Sequence, residues 1–283
     1  MNLNGRRESS NVSDQRGRRG SGRGLKIGGG IGAVIIAAII AWISGGSPLD
    51  VLTSNAGQML GGGSETAYSQ DYTPSAQEEE LAEFSRKILA GTEDVWTRLF
   101  EEQGLEYEAP TLVLYTDAVT SGCGNASASM GPFYCSADEK LYIDLSFFSE
   151  MRQTLGADGD FAYAYVIAHE VGHHVQHLLG TLDDAHSRMS RMSEADANRL
   201  SVALELQADY YAGVWAHHDN KLFGSLEPGD VEEAIDAAQK IGDDYLQKRA
   251  QGYAVPDSFT HGTSEQRMQA LSSGIRTGRF PQQ

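Results

Sequence analysis

Residues 161–180, FAYAYVIAHEVGHHVQHLLG, constrain the chain more than any other stretch. They contain His169-Glu170-Val171-Gly172-His173, an HExxH motif. Residues four apart on a helix share a face, so His169 and His173 can offer two imidazoles to one Zn²⁺ ion. Glu170, one position on, can take a proton from a metal-bound water. Asp160 is expected as the N-cap and Gly180 as the stop signal, with no Pro between them. Tyr163, Val166, Ile167, Val171, Val175, Leu178 and Leu179 surround the motif, which predicts a largely buried helix. Buried polar side chains need partners, so a second element must supply them.

A catalytic zinc takes three protein ligands and keeps one position open. The extension HExxHxxGxxH would supply a third histidine, but Gln176 and Leu179 stand at its Gly and His positions. A later apolar helix offers another solution in Glu205-Leu206-Gln207-Ala208-Asp209. Glu205 and Asp209 share a face, and a buried carboxylate pair requires charged partners. The economical reading makes Glu205 the third ligand, with Asp209 holding the N–H of a ligand histidine. His174, His177, His217, His218 and Glu194 are the competitors for the third position.

The chain has 283 residues and a formal net charge of −17, unevenly placed. Residues 1–50 hold seven basic and three acidic side chains, leaving 15 basic and 36 acidic for the rest. So acidic a main region argues against a nucleic-acid partner, because phosphate binding needs clustered Lys and Arg. Residues 1–26, rich in Gly, Arg and Ser, are expected to be a disordered basic tail. Residues 27–48 carry no charge and are expected to form one transmembrane helix. The basic flank then puts the N-terminus in the cytoplasm and the rest outside, periplasmic or extracellular. A cleaved signal peptide is the rival reading. Residues 49–75 read as a linker and 76–283 as the main domain. Cys123 and Cys135, the two cysteines of the chain, flank a Gly/Ser-rich segment whose spacing suits a disulfide in an oxidising compartment. A second zinc site or two free thiols are the alternatives.

Apolar periodicity predicts a helix from Gln77 through Leu99, broken at Gly91. Short strands are expected at 111–115 and 141–145, and a helix over 147–155. Residues 181–192 read as a polar connection. Further helices are expected from Ser193 to about His218, over 230–249 with a capping box of Asp230 and Glu233, and from about Ser264.

The segments SGCGNASASMGPFYCSADEKLYIDLSFF, HEVGHHVQ, ELQADYYAG and FTHGTSEQR, with GRRESSNVSDQRG near the start, are similar to those of the neutral zinc metallopeptidase family of bacteria (YpfJ-type). The resemblance runs nearly end to end. It implies an α+β, zincin-like domain, mainly helical with a small sheet, behind a single-pass anchor in the bacterial inner membrane. It names no substrate. ELQAD also resembles the E-x-x-A-D motif of peptidases of the CAAX prenyl protease type. Their T-H-P segment, with an Arg six residues past the His, corresponds to Thr260, His261 and Arg267 here, although Gly262 replaces the Pro. That resemblance implies that His261 stabilises the oxyanion and that Arg267 binds a nearby Asp or Glu. The expectation is thus a zinc metalloendopeptidase holding one zinc ion and acting on protein or peptide substrates. The alternative is an inactive zinc-containing membrane protein that binds partners. Leu141–Leu145 is the expected substrate-binding strand edge, and Met130 and Phe133 are expected to line or cover the cleft.

Overall fold

The computed structural model describes residues 1–17 and 72–280. The expected transmembrane helix at 27–48 lies outside the described residues, as do residues 49–71 of the linker. Among the described residues no helix is long and apolar enough to cross a membrane.

The domain is α+β and mainly helical. A four-stranded sheet has the order β1-β2-β6-β5, from β1 (Val12–Asp14), β2 (Thr111–Tyr115), β5 (Phe133–Cys135) and β6 (Lys140–Asp144). The first three strands in that order run parallel, and β5 pairs antiparallel with β6. A hairpin of β3 (Ala118–Ser121) and β4 (Gly124–Ser127) stands apart. Alternation along β2 sends Leu112 and Leu114 into the main core, while Val113 and Tyr115 join a smaller cluster on the other face. The Cys123–Cys135 disulfide closes that smaller cluster. Met130 and Phe133 pack there as well, in the cluster apart from the main core.

The helices are α1 (Ala76–Glu101), α2 (Ser146–Glu150, continued by a wider turn to Leu155), α3 (Asp160–Leu178), α4 (Thr181–Met189), α5 (Glu194–Phe223), α6 (Asp230–Lys240), α7 (Asp243–Gln251) and α8 (Ser264–Thr277). Ser193 caps α5 through the backbone N–H of Asp196, and Thr263 with Gln266 makes a full capping box on α8. Several details differ from expectation. Residues 181–192 contain a helix, α4, whose Leu182, Ala185 and Met189 are buried. The expected helix over 230–249 is two, because Gly242 brings the chain against the backbone of Ser264, where a β-carbon would lie 2.3 Å from its nitrogen. Gly229 precedes α6 in place of an Asp230 box, and Glu233 instead accepts the backbone N–H of Phe161. Gly159, not Asp160, caps α3.

The largest difference concerns the N-terminus. Residues 1–17 are an ordered layer of the domain, not part of a disordered tail. β1 adds a parallel strand to β2, and several side chains before it are paired with the rest of the domain. Arg6 makes a two-pronged pair with Asp219, whose side chain is 0% exposed. Arg7 meets Asp94 and Glu93, and Ser9 and Asn11 both donate to Glu93. The Met1 amino group lies 2.7 Å from Asp160 and 3.2 Å from both Asp230 and Glu227. This docking also explains why α1 continues through Gly91. A β-carbon there would lie 2.6 Å from the Arg6 guanidinium and 2.8 Å from Asp219, so glycine makes room for the pair instead of ending the helix.

Candidate metal centre

Two close helix crossings build the site. α3 meets α5 at Gly172, where a β-carbon would lie 2.9 Å from the carbonyl oxygen of Ala208. That approach turns the face carrying His169 and His173 toward Glu205. α5 meets α8 at Gly213 and Gly274, where added β-carbons would strike backbone oxygens at 2.3 and 2.1 Å. Arg267, near the start of α8, thereby reaches Asp209.

The result brings the donor atoms of His169, His173 and Glu205 within 4.8 Å of one another. His169 Nε2 is 3.2 Å from Glu205 Oε2, and His173 Nε2 is 3.4 Å from Glu205 Oε1. Glu205 Oε2 is buried with no hydrogen-bond partner, and besides His169 the nearest charged group is Arg267 Nη2 at 3.9 Å. A buried carboxylate oxygen without a partner is costly, so this donor set fits a cation held between the three side chains.

Both histidines are held at the far ring nitrogen. His169 Nδ1 is 2.8 Å from Asp209 Oδ1, and His173 Nδ1 is 2.9 Å from the side-chain oxygen of Gln176. An acceptor at Nδ1 fixes a hydrogen there, so that Nε2 is the nitrogen that can give its lone pair to a metal ion. Gln176 is in turn held by Leu204 O at 2.7 Å and Gln207 at 2.9 Å, both reached through its amide nitrogen. Sequence reading treated Gln176 only as the residue that breaks a longer motif. Its signal was a polar side chain three residues past His173 on a buried face.

Asp209 is fully buried and meets Arg267 twice, Nε to Oδ2 at 2.8 Å and Nη2 to Oδ1 at 2.9 Å. Tyr165 also donates to Asp209 Oδ1, at 2.5 Å. Burial is the largest influence on Asp209 and would raise its pKa, but the charges and hydrogen bonds of Arg267 and His169 together lower it to about 2. Burial would likewise lower that of His169, but Asp209 and then Glu205 raise it to about 10. Glu205 is held well below the carboxylate range, burial being overcome by His173, His169 and His261. Glu170 moves the other way: burial is the largest influence and raises its pKa.

Glu170 and its surroundings bring in the sheet. The Tyr134 backbone in β5 lies near its carboxylate and opposes that rise, as the smallest of the influences on it. The Tyr134 hydroxyl lies 2.9 Å from His174 Nδ1, and His174 Nε2 lies 2.7 Å from Glu108 O. β5, the outer strand, is therefore the strand pinned to α3. Leu141–Leu145 is the expected edge, but β6 lies between β2 and β5 and is paired on both sides over residues 140–142.

His261 is 3% exposed, with Nδ1 3.1 Å from Asp243 Oδ1. Asp243 Oδ2 accepts the backbone N–H groups of Thr260, His261 and Gly262 at 2.8, 2.7 and 3.0 Å. One carboxylate thus holds both the turn and the ring. Sequence reading did not single out Asp243, because its partners lie far along the chain.

The competitors for the third position are engaged elsewhere. His174 bonds Tyr134 and Glu108, His177 sits near Asp183 and Glu139, and His217 and His218 face backbone carbonyls of Ile275 and Gly278. Glu194 is exposed. A second acidic group, Asp160, Asp230 and Glu233, surrounds the Met1 amine described above.

The chain matches the family described as "Putative neutral zinc metallopeptidase" over residues 1–283, and it belongs to that family. It is 47% identical over 282 residues to "Uncharacterized protein YpfJ" of Escherichia coli (strain K12), covering 98% of this chain and 96% of that one. It is 40% identical over 182 residues to "Uncharacterized protein Rv2575" of Mycobacterium tuberculosis (strain ATCC 25618 / H37Rv), covering 61% of this chain and 60% of that one. No solved structure gives a significant match.

Proposed function

We propose that this member of the zinc metallopeptidase family hydrolyses peptide bonds at the His169–His173–Glu205 centre. The observation that carries the reading is the buried Glu205 Oε2 without a hydrogen-bond partner, facing two imidazoles whose other nitrogens are already held. His169, His173 and Glu205 would hold one Zn²⁺ ion. Bound there, zinc would polarise the scissile carbonyl and acidify a water molecule. Three protein donors leave a coordination position for that water, as a catalytic site requires.

Glu170 takes the proton of the attacking water and passes it to the leaving nitrogen as the C–N bond breaks. Its raised pKa suits a group that must hold that proton between the two steps. Asp209 keeps His169 in its ligand tautomer, and Arg267 keeps Asp209 ionised. His261, oriented by Asp243, would donate to the carbonyl oxygen as negative charge grows on it. β5 supplies the backbone edge along which an extended peptide could lie as an added strand.

The alternative is an inactive zinc protein that binds partners, which would call for a closed site with a fourth protein ligand. Among the described residues the group has three donors. Glu170→Gln separates the two readings. It should cut hydrolysis of an unfolded protein substrate by about 100-fold or more, with zinc content and melting temperature unchanged. Undiminished cleavage in that variant would remove Glu170 from its role.

A further inference from the structure

Residues 1–17 and 72–280 form one folded body, and the point where the chain leaves it is also the point where it returns. β1 is hydrogen-bonded into the sheet between residues 12 and 14, and Gln15 N–H donates to Leu114 O at 2.8 Å. Gly17 then touches Tyr72, for a β-carbon on Gly17 would lie 2.3 Å from the Tyr72 ring. Gly17 N–H points to Thr116 Oγ1 just past β2 at 3.4 Å, and the Tyr72 hydroxyl donates to Glu78 at 2.9 Å. Arg16 ties the two ends further, through Glu78 O at 3.3 Å and Glu79 at 2.8 Å on the first turn of α1.

Two residues in contact cannot lie on opposite sides of a bilayer. We infer that residues 1–17 and the metal-site domain occupy the same side of any membrane the protein meets. The N-in, domain-out arrangement expected from the basic flank would instead tear β1 from β2 and leave Asp219, 0% exposed, without Arg6. This inference does not depend on the peptidase reading.

The test is labelling of the full chain in intact cells with a membrane-impermeant maleimide. Ser10→Cys and Ser187→Cys, both at exposed positions, report the N-terminal segment and the domain; the two native cysteines are paired. The two variants should label alike in intact cells and alike after permeabilisation, with a ratio near unity throughout. Labelling of one in intact cells, with the other labelled only after permeabilisation, would overturn the inference. Asn4→Cys with Glu265→Cys repeats the test at independent exposed sites, should either first variant fold poorly.

Discussion

Among the described residues, two Arg–Asp pairs with fully buried aspartates do different work. Arg267–Asp209 lies behind the metal centre, and its aspartate touches His169. Arg6–Asp219 joins the N-terminal segment to α5 and touches no candidate ligand. Both aspartates are fully buried. The first pair holds a tautomer, and the second holds a strand in place. The same ionic chemistry therefore serves chemistry at the middle of α5 and architecture near its C-terminal end.

The largest effects should come from breaking each pair. Arg267→Ala and Arg6→Ala each leave a buried carboxylate alone, and each should cost about 3–5 kcal/mol in denaturant unfolding. Only Arg267→Ala should also weaken zinc binding, by roughly 10- to 100-fold, because it loosens the partner of His169. Equal loss of zinc affinity in both variants would erase the distinction between the pairs.

A somewhat smaller effect should appear with pH. Burial lowers the His174 pKa from 6.5 to about 4, with Tyr134 and Glu108 on either side of the ring. The folded state favours the neutral ring, so this stability is present above pH 6.5 and is lost as pH falls toward 4. At 1.36 kcal/mol per unit, the loss is roughly 2–3 kcal/mol. Melting curves should show it in the native protein, and His174→Gln should flatten that part of the pH profile.

Asp243→Asn addresses the turn at 260–262. The amide can still accept backbone N–H groups but holds the His261 ring less firmly. Turnover should fall roughly 10- to 100-fold with zinc content unchanged. A parallel loss of zinc would make Asp243 part of the metal centre instead. The smallest effect belongs to the exposed pair Arg98–Glu102, at 2.9 Å and about half exposed on each side. Arg98→Ala should change stability by less than about 1 kcal/mol.

These contrasts also explain what could be read from the sequence. His169, His173 and Glu170 follow from helical spacing, and Glu205 and Asp209 from carboxylates in an apolar helix. Such signals are local and periodic. Gln176, Tyr134 and Asp243 carry no comparable signal, because their roles depend on partners brought near by helix crossings and strand pairing. Gly91 and Gly242 could be read as breakers but not told apart. Gly91 admits a side-chain pair from another segment, and Gly242 admits a backbone. The basic N-terminal run was misleading for a physical reason. Arg6, Arg7 and Arg16 look solvated until their carboxylate partners, distant in the chain or two residues away, are known.

The most direct test of the metal centre is zinc content measured on purified native protein beside His169→Ala and Glu205→Ala. One zinc per chain is expected in the native protein, and neither variant should retain it. Stoichiometric zinc in folded Glu205→Ala would contradict the three-ligand site on which the proposed chemistry rests.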